Sequence, residues 1–255
     1  MTRSGRQAGG TARSSVWLEG RARGRRGGGQ PSGLDRDRIT GATVRLLDAG
    51  GLDGFSMRRL ARELDVTAMS VYWYVDAKDD LLELALDAVC GEVRLPGPGA
   101  ADEDWREQLR RLATEYRRVL ARHPWMSPLI GRFLNIGPHN LAFSRAVRHV
   151  VCRTGLPADR ITSAIAAVLQ FVYGYGTREG CFHTHGAALG TTRDAYVRHA
   201  PAEVSEPPAA AEAVQESRKT TEARGGDTVA ELMERDFGYA LDLLIAGIEV
   251  MAGRG

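Results

Sequence analysis

Cysteine is scarce in this chain of 255 residues, and long apolar runs are missing altogether. Cys90, Cys152 and Cys181 are odd in number, far apart and without C-x-x-C spacing, so they read as reduced thiols of a cytoplasmic protein. No stretch of 18 or more apolar residues exists, which argues against a membrane span. Residues 1–33 are mainly Gly, Arg and Ser, and lack the apolar core that a secretion signal needs. There is no G-x-S-x-G, no P-loop, no G-x-G-x-x-G after a strand and no H-E-x-x-H. An enzyme is therefore not expected, nor a cofactor, nor a metal. Strand alternation and internal repeats are also absent, which leaves an all-α protein.

Net charge is small, +2, but it is unevenly placed. Residues 1–33 hold Arg3, Arg6, Arg13, Arg21, Arg23, Arg25 and Arg26 against Glu19 alone, a charge of +6 that leaves about −4 for the rest. Nearly all the attraction to polyanions thus sits in an arm whose composition predicts disorder. Two readings of the arm stay open. It is an over-long start or expression remnant, or the RGRRGGG run makes it a nucleic-acid contact arm.

From Asp35 the pattern turns helical. Ile39, Ala42, Leu46 and Leu47 share a face, and Gly50-Gly51 supplies a stop. Ser56 is a good N-cap for a second short helix with Leu60, Ala61 and Leu64 inward, and Thr67 caps a third through about Tyr74. Asp76 is expected to cap a fourth, with Asp79 three residues on and Leu81, Leu82, Ala85, Ala88 and Val89 as its stripe. LPGPGA at 95–100 ends that helix and marks a domain boundary. Beyond it, Trp105 to Leu120 predicts a long helix ended by Pro124, a short segment follows Pro128, and a helix runs from about Pro138 to Arg153. A further helix spans about 158–180, and a last one from about Asp227 carries Phe237, Leu241, Leu244, Ile245, Ile248 and Met251 on one face. Residues 183–226 show little period and predict a disordered loop or mobile lid. The expected domains are an arm (1–33), a helix-turn-helix unit (34–94) and a larger helical unit (95–255).

Two short helices around Asp65-Val66 meet the needs of a helix-turn-helix, in which the first buttresses and the second enters the major groove. On the second, Val71 and Val75 fall inward. Three adjacent aromatics, Tyr72, Trp73 and Tyr74, are costly to expose without a partner. Trp73 is expected to pack between the third and fourth helices.

Residues 34–84, above all FSMRRLARELDVTAMSVYWYVDAKDDLL, resemble the DNA-binding domain of the tetracycline-repressor (TetR) family. FGYALDLLIAGIEVM, HPW at 123–125 and GLPADRI are similar to the C-terminal class of that family's namesake. The resemblance implies a homodimeric repressor with a helical ligand-binding and dimerisation domain, released from a palindromic operator by a small hydrophobic molecule. It also implies that Ser56, Met57 and Arg58 lie against phosphate and groove, as does Thr67. Ala68, Met69 and Ser70 would then face base edges, Tyr72 and Tyr74 reach backbone or bases, and Lys78 bind phosphate. The chemistry agrees: Arg, Lys and hydroxyl groups donate to phosphate oxygens, and Met69 or Ala68 can touch a thymine methyl. Two departures stand out. Asp65 replaces the usual turn glycine, and Asp76 is an acid where the namesake has a base. The reading helix also lacks Arg, Lys, Asn and Gln, which puts weight on apolar contacts, Arg58 and DNA shape.

A sensor needs apolar walls with a few polar groups. Trp105, Trp125, Phe133, Asn135, His139, Asn140, Phe143, Gln170, Phe171 and Tyr175 are the candidates, with Tyr116 and Tyr173 also available, and His139 and Asn140 the leading polar contacts. Cys181, His183 and His185 could converge on a metal only in an extended segment, and no fourth ligand is evident nearby. The rival classes are a helical small-molecule-binding protein or an enzyme without specific DNA binding.

Overall fold

The computed structural model describes residues 15–18, 33–97, 103–188, 190 and 228–254, and leaves the side chains of 183 and 185–188 aside. Among these residues every regular element is helical, as expected.

Helix α1 (Arg36–Gly54) is capped by Asp35, whose carboxylate accepts from the Arg38 N–H at 2.7 Å, and it buries Ile39, Ala42 and Leu47. The expected stop falls at Gly51, where φ is +62°, although one more turn follows before the chain leaves the helix. Helix α2 (Met57–Glu63) starts on the Ser56 cap and α3 (Ala68–Tyr72) on the Thr67 cap. Asp65, between them, adopts φ +54°, the left-handed turn that Asp tolerates in place of Gly.

Helix α4 (Lys78–Cys90) begins one residue later than expected. Asp76 is not its cap. Ala77 holds that position, and Asp80 reaches back to accept from the Asp76 and Ala77 N–H groups at 2.7 and 3.1 Å. Leu81, Leu82, Leu84, Ala85, Leu86, Val89 and Cys90 are all buried, so α4 is covered nearly all round. It packs on α1 on one side and on the second part of the chain on the other.

Helix α5 (Trp105–Arg122) ends at His123, as Pro124 requires, and a 3₁₀ turn (Pro124–Met126) leads into α6 (Ser127–Ile130). Helix α7 (Pro138–Cys152) has no cap of its own. Asp87 of α4 supplies one from outside, accepting from the Asn140 N–H at 2.9 Å and the His139 N–H at 3.3 Å. Gly137 makes this possible: a Cβ there would lie 2.3 Å from the Asp87 carboxylate.

Helix α8 (Ile161–Ala188) runs well past its expected end near 180. The backbone carrying Cys181, His183 and His185 is therefore helical, and the extended segment that metal convergence required is not found. The rest of the expected 183–226 loop lies outside the described residues, apart from Gly190. Helix α9 (Val229–Ala252) is capped by Thr228 with Glu231 in a capping box. It runs antiparallel to α5, joined by Arg117–Glu234, Arg110–Asp242 and Arg106–Glu249 pairs. No described helix is long and apolar enough to cross a membrane.

Most of the arm also lies outside the described residues, but 15–18 do not fit the expected disorder. The Glu83 carboxylate of α4 accepts from the Val16 N–H at 2.7 Å and the Ser15 hydroxyl at 3.0 Å, and Val16 is buried in the core. Val16 and the half-buried Trp17 anchor a segment too short to show a period, while Leu18 beside them stays exposed.

Candidate nucleic-acid interface and sensor core

The turn between α2 and α3 sorts the side chains of the reading helix into two sets. Val71 and Val75 enter the core, as their spacing predicts. Met69 is 70% exposed and Trp73 51%, with Tyr72 outward beside them. Exposed apolar side chains this closely spaced are what a partner-binding surface presents. Arg58, on α2, is exposed on the same unit, and Lys78 opens α4. The Lys78 ammonium donates to the Phe55 carbonyl at 3.0 Å and lies 5.3 Å over the Phe55 ring, which fixes it beside the first turn of α4.

Two of the expected positions change. Tyr74 is 8% exposed, and its hydroxyl donates to the Leu34 carbonyl at 2.5 Å, so it ties α3 to the start of α1 and does not face outward. Trp73, expected to pack between helices, takes the exposed place instead. The turn that closes α3, held by the Tyr74 N–H on the Val71 carbonyl at 3.0 Å, brings Tyr74 and Val75 inward beside Val71 and leaves residue 73 outside. Met57 and Ala68 are half-buried against the core. The Ser56 and Thr67 hydroxyls cap the Arg59 and Ser70 N–H groups, and the Ser70 hydroxyl lies 2.9 Å from Thr67 Oγ1.

The ten candidate pocket residues do not gather in one place. Phe171 stacks on Phe237 and Tyr175 meets it edge-on, with ring centroids 5.4 and 5.3 Å from it, and Arg117 lies over the same ring at 4.4 Å. Arg117 is buried and paired with Glu179 of α8 and Glu234 of α9, which makes this cluster a joint between three helices. Trp125 donates from Nε1 to Asp48 of α1. Asn135, at φ +50°, donates to the Ile130 carbonyl at 2.6 Å. His139 is exposed and Asn140 half-buried, and their backbone N–H groups are held by Asp87. Trp105 packs under Arg106, and Phe133 under Arg132. Gln170 is exposed on the outer face of α8.

Phe143 is different. It meets Tyr116 at 4.9 Å inside the second part of the chain. Burial holds the Tyr116 hydroxyl well above its ordinary value, with Cys90 and Tyr173 adding to the effect. Burial likewise pushes the Cys90 thiol up to about 12, helped by Asp87. The Tyr173 hydroxyl donates to the Ser127 carbonyl at 3.0 Å. Tyr116, Tyr173 and Cys90 were not singled out above Phe143 by the sequence, because a buried tyrosine in an amphipathic helix looks like any other core residue.

A family model described as "Bacterial regulatory proteins, tetR family" matches residues 39–85, and one described as "Tetracyclin repressor-like, C-terminal domain" matches 97–252. The chain belongs to the TetR family of transcriptional regulators. An HTH-type transcriptional regulator of Saccharopolyspora erythraea is 38% identical over 86% of this chain and 86% of its own length. The HTH-type transcriptional repressor DrrR1 of Streptomyces coeruleorubidus is 35% identical over 62% of this chain and 57% of its own. In three dimensions, the TetR family protein ActR of Streptomyces coelicolor, in complex with actinorhodin, aligns with a TM-score of 0.65 at 25% identity, covering 86% of this chain and 99% of that one.

Proposed function

We propose that this regulator is a cytoplasmic, homodimeric repressor that binds a palindromic operator and is released from it by a small hydrophobic molecule. Residues 34–94 act as the reading unit and 95–255 as the sensing and pairing unit. The observation that carries the reading is the outward exposure of Met69 and Tyr72 on α3 and of Trp73 at its C-terminal end, in a unit that also exposes the cations Arg58 and Lys78. Met69 supplies apolar contact to base edges, the aromatics lie along the sugar-phosphate backbone, and the cations take phosphate oxygens. With no bidentate reader on α3, sequence preference comes from these contacts and from DNA shape.

Pairing follows from the outer faces of α8 and α9. Tyr239, Leu243 and Val250 recur along α9 on the side opposite its buried face, and α8 presents Ser163, Ala166, Ala167, Gln170 and Gly174, which are small or uncharged. Two copies packed on these faces make a four-helix bundle that sets two reading units apart on one face of the duplex. The effector is a small hydrophobic molecule whose entry would part the Tyr116–Phe143 contact in the interior of the second unit, beside the Cys90 thiol. Binding there that favours one spacing of the reading units changes operator affinity by the same coupling energy.

The test is a genome-wide footprint followed by a gel shift with the recovered duplex. Inverted half-sites about one helical turn apart are expected, with binding lost in a Met69→Ala, Trp73→Ala double variant. Absence of any specific duplex would favour a helical small-molecule-binding protein or an enzyme.

A further inference from the structure

Asp48 belongs to α1, on the reading side of the chain, yet two donors from beyond α5 hold its carboxylate. His123 Nδ1 lies 2.6 Å from Asp48 Oδ1, and Trp125 Nε1 donates to the same oxygen at 2.6 Å. His123 is buried, and its backbone N–H closes α5 on the Val119 carbonyl. Its second ring nitrogen is 3.3 Å from Glu92 Oε1, at the exit of α4, without hydrogen-bond alignment. Glu92 is itself held: its Oε2 accepts from Arg122 and its carbonyl from Arg118, each at 3.1 Å. The indole of Trp125 stands edge-on to the imidazole with centroids 5.8 Å apart. The charged groups that face the ring are thus Asp48 from α1 and Glu92 from the end of α4, with Arg122 of α5 behind Glu92.

We propose that Asp48 and His123 are positioning residues which, with Trp125, clamp the reading unit to the sensing unit and so fix how the two reading heads of a dimer are presented to the operator. Three elements meet at one carboxylate: α1, the end of α5 and the 3₁₀ turn. A head held in one orientation gives up less freedom when two half-sites are engaged together.

The clamp has a titratable member. Burial pulls His123 down, but the hydrogen bond to Asp48 and the charges of Asp48 and Glu92 outweigh it and hold the imidazole above its ordinary 6.5. A raised histidine contributes its full tightening below the unperturbed value, and loses it as pH rises through the raised one. Operator affinity therefore weakens in the same direction, by about five-fold, the lower end of ordinary inter-site coupling.

The inference rests on the operator-binding reading, and the experiment separates the two. The full-length chain first selects a duplex from random sequence; if nothing is selected, the operator reading fails on its own account. With that duplex, affinity is titrated at fixed salt from pH 6 to 8.5. The wild type is expected to weaken about five-fold. His123→Gln and Asp48→Asn are expected to stay flat near the high-pH affinity, while Trp125→Phe keeps the slope on a weaker baseline. A His123→Gln profile that overlays the wild type, in protein with an unchanged circular dichroism spectrum, overturns the proposal. Where that variant does not fold, an Asp48→Asn profile with the wild-type slope overturns it equally. A DNA-free readout is the His123 ring titration by NMR in the intact dimer. Its midpoint should lie above 6.5 and fall in Asp48→Asn, and a wild-type midpoint at or below 6.5 removes the clamp.

Discussion

Leu243→Arg tests the pairing face in its most exposed stretch. Along α9, Tyr239 is 68% exposed, Leu243 58%, Val250 53% and Met251 51%, while Phe237, Leu241 and Ile245 behind them are buried. Burying a large apolar side chain from full exposure is worth roughly 1.5–3 kcal/mol, so about half of each gives on the order of 1 kcal/mol or slightly more. Three such side chains on one face, Tyr239, Leu243 and Val250, counted twice across a two-fold axis, would contribute about 6–9 kcal/mol. Association costs of about 4–15 kcal/mol oppose this, so pairing through this face would be sensitive to the loss of a single side chain. Arginine at 243 removes about 2–3 kcal/mol per dimer and sets two like charges across the axis. The dimer Kd should rise at least about 30-fold. Sedimentation velocity from nanomolar to micromolar protein reads this directly, and operator affinity should fall with it. Leu241→Ala is the control: on the buried face of the same helix, it costs about 2–5 kcal/mol of folding stability and leaves pairing intact. Wild-type sedimentation by Leu243→Arg at low concentration would refute the assignment of this face.

Three further outcomes are expected. Trp73→Ala should weaken operator binding about 5- to 30-fold with no change in melting temperature, whereas Tyr74→Phe should cost about 1 kcal/mol of stability through the lost bond to Leu34, with operator affinity nearly unchanged; calorimetry and a binding titration separate them. Glu83→Ala should release residues 15–18, seen as faster limited trypsin cleavage within the arm, and equal cleavage rates in the two proteins would count against the anchor. Glu115 is held down to about 2, chiefly by its hydrogen bond to Arg94. A depressed carboxylate gives stability above its unfolded value, lost as pH falls through the folded one, so acid unfolding between pH 4.5 and 2 should be shallower in Glu115→Gln than in the wild type.

The reading unit was legible because it is built from local signals. Three N-caps, one left-handed turn residue and a five-residue inward spacing fix α1 to α3 without help from distant contacts. The errors there were one of phase and one of reach. Three adjacent aromatics cannot all face the same way, and spacing from Val71 assigns Tyr74 inward and Trp73 outward. The cap of α4 depended on which carboxylate could turn back, and Asp76 and Asp80 look alike until the backbone exists. The sensor was much less legible. Aromatic and amide side chains are what a pocket and a core have in common, so composition alone could not part Phe143, which meets Tyr116 in the interior, from Gln170 on the outside of α8. The continuation of α8 past 180 was not legible because residues 181–188, CFHTHGAA, carry no apolar period, whereas Gly176 and Gly180 within the expected span let α8 approach Leu120 and Pro124 closely.

What local patterns could not disclose at all is the role of α4. Its buried acids look like errors in an apolar helix, since unpaired carboxylates are expensive to bury. Each turns out to be spent on the backbone of a different segment. Asp80 takes the N–H groups of residues 76 and 77, Glu83 takes Val16, and Asp87 takes residues 139 and 140. Positions 80, 83 and 87 follow i, i+3 and i+7, so they form one polar stripe along a helix that is otherwise apolar. Glu92, just past the end, faces the His123 side chain instead. A backbone amide is a partner whose position moves with its whole element, so a shift of α4 along its axis must carry the arm anchor and the first turn of α7 together. A purely apolar α4 could slide with little penalty, because hydrophobic contact is non-directional. Hydrogen bonds to charged acceptors are not, and they convert a connecting helix into a shaft with a small number of allowed settings. On the proposed reading, in which α4 stands between a sensing unit and two reading units, that is the mechanical property the element would need.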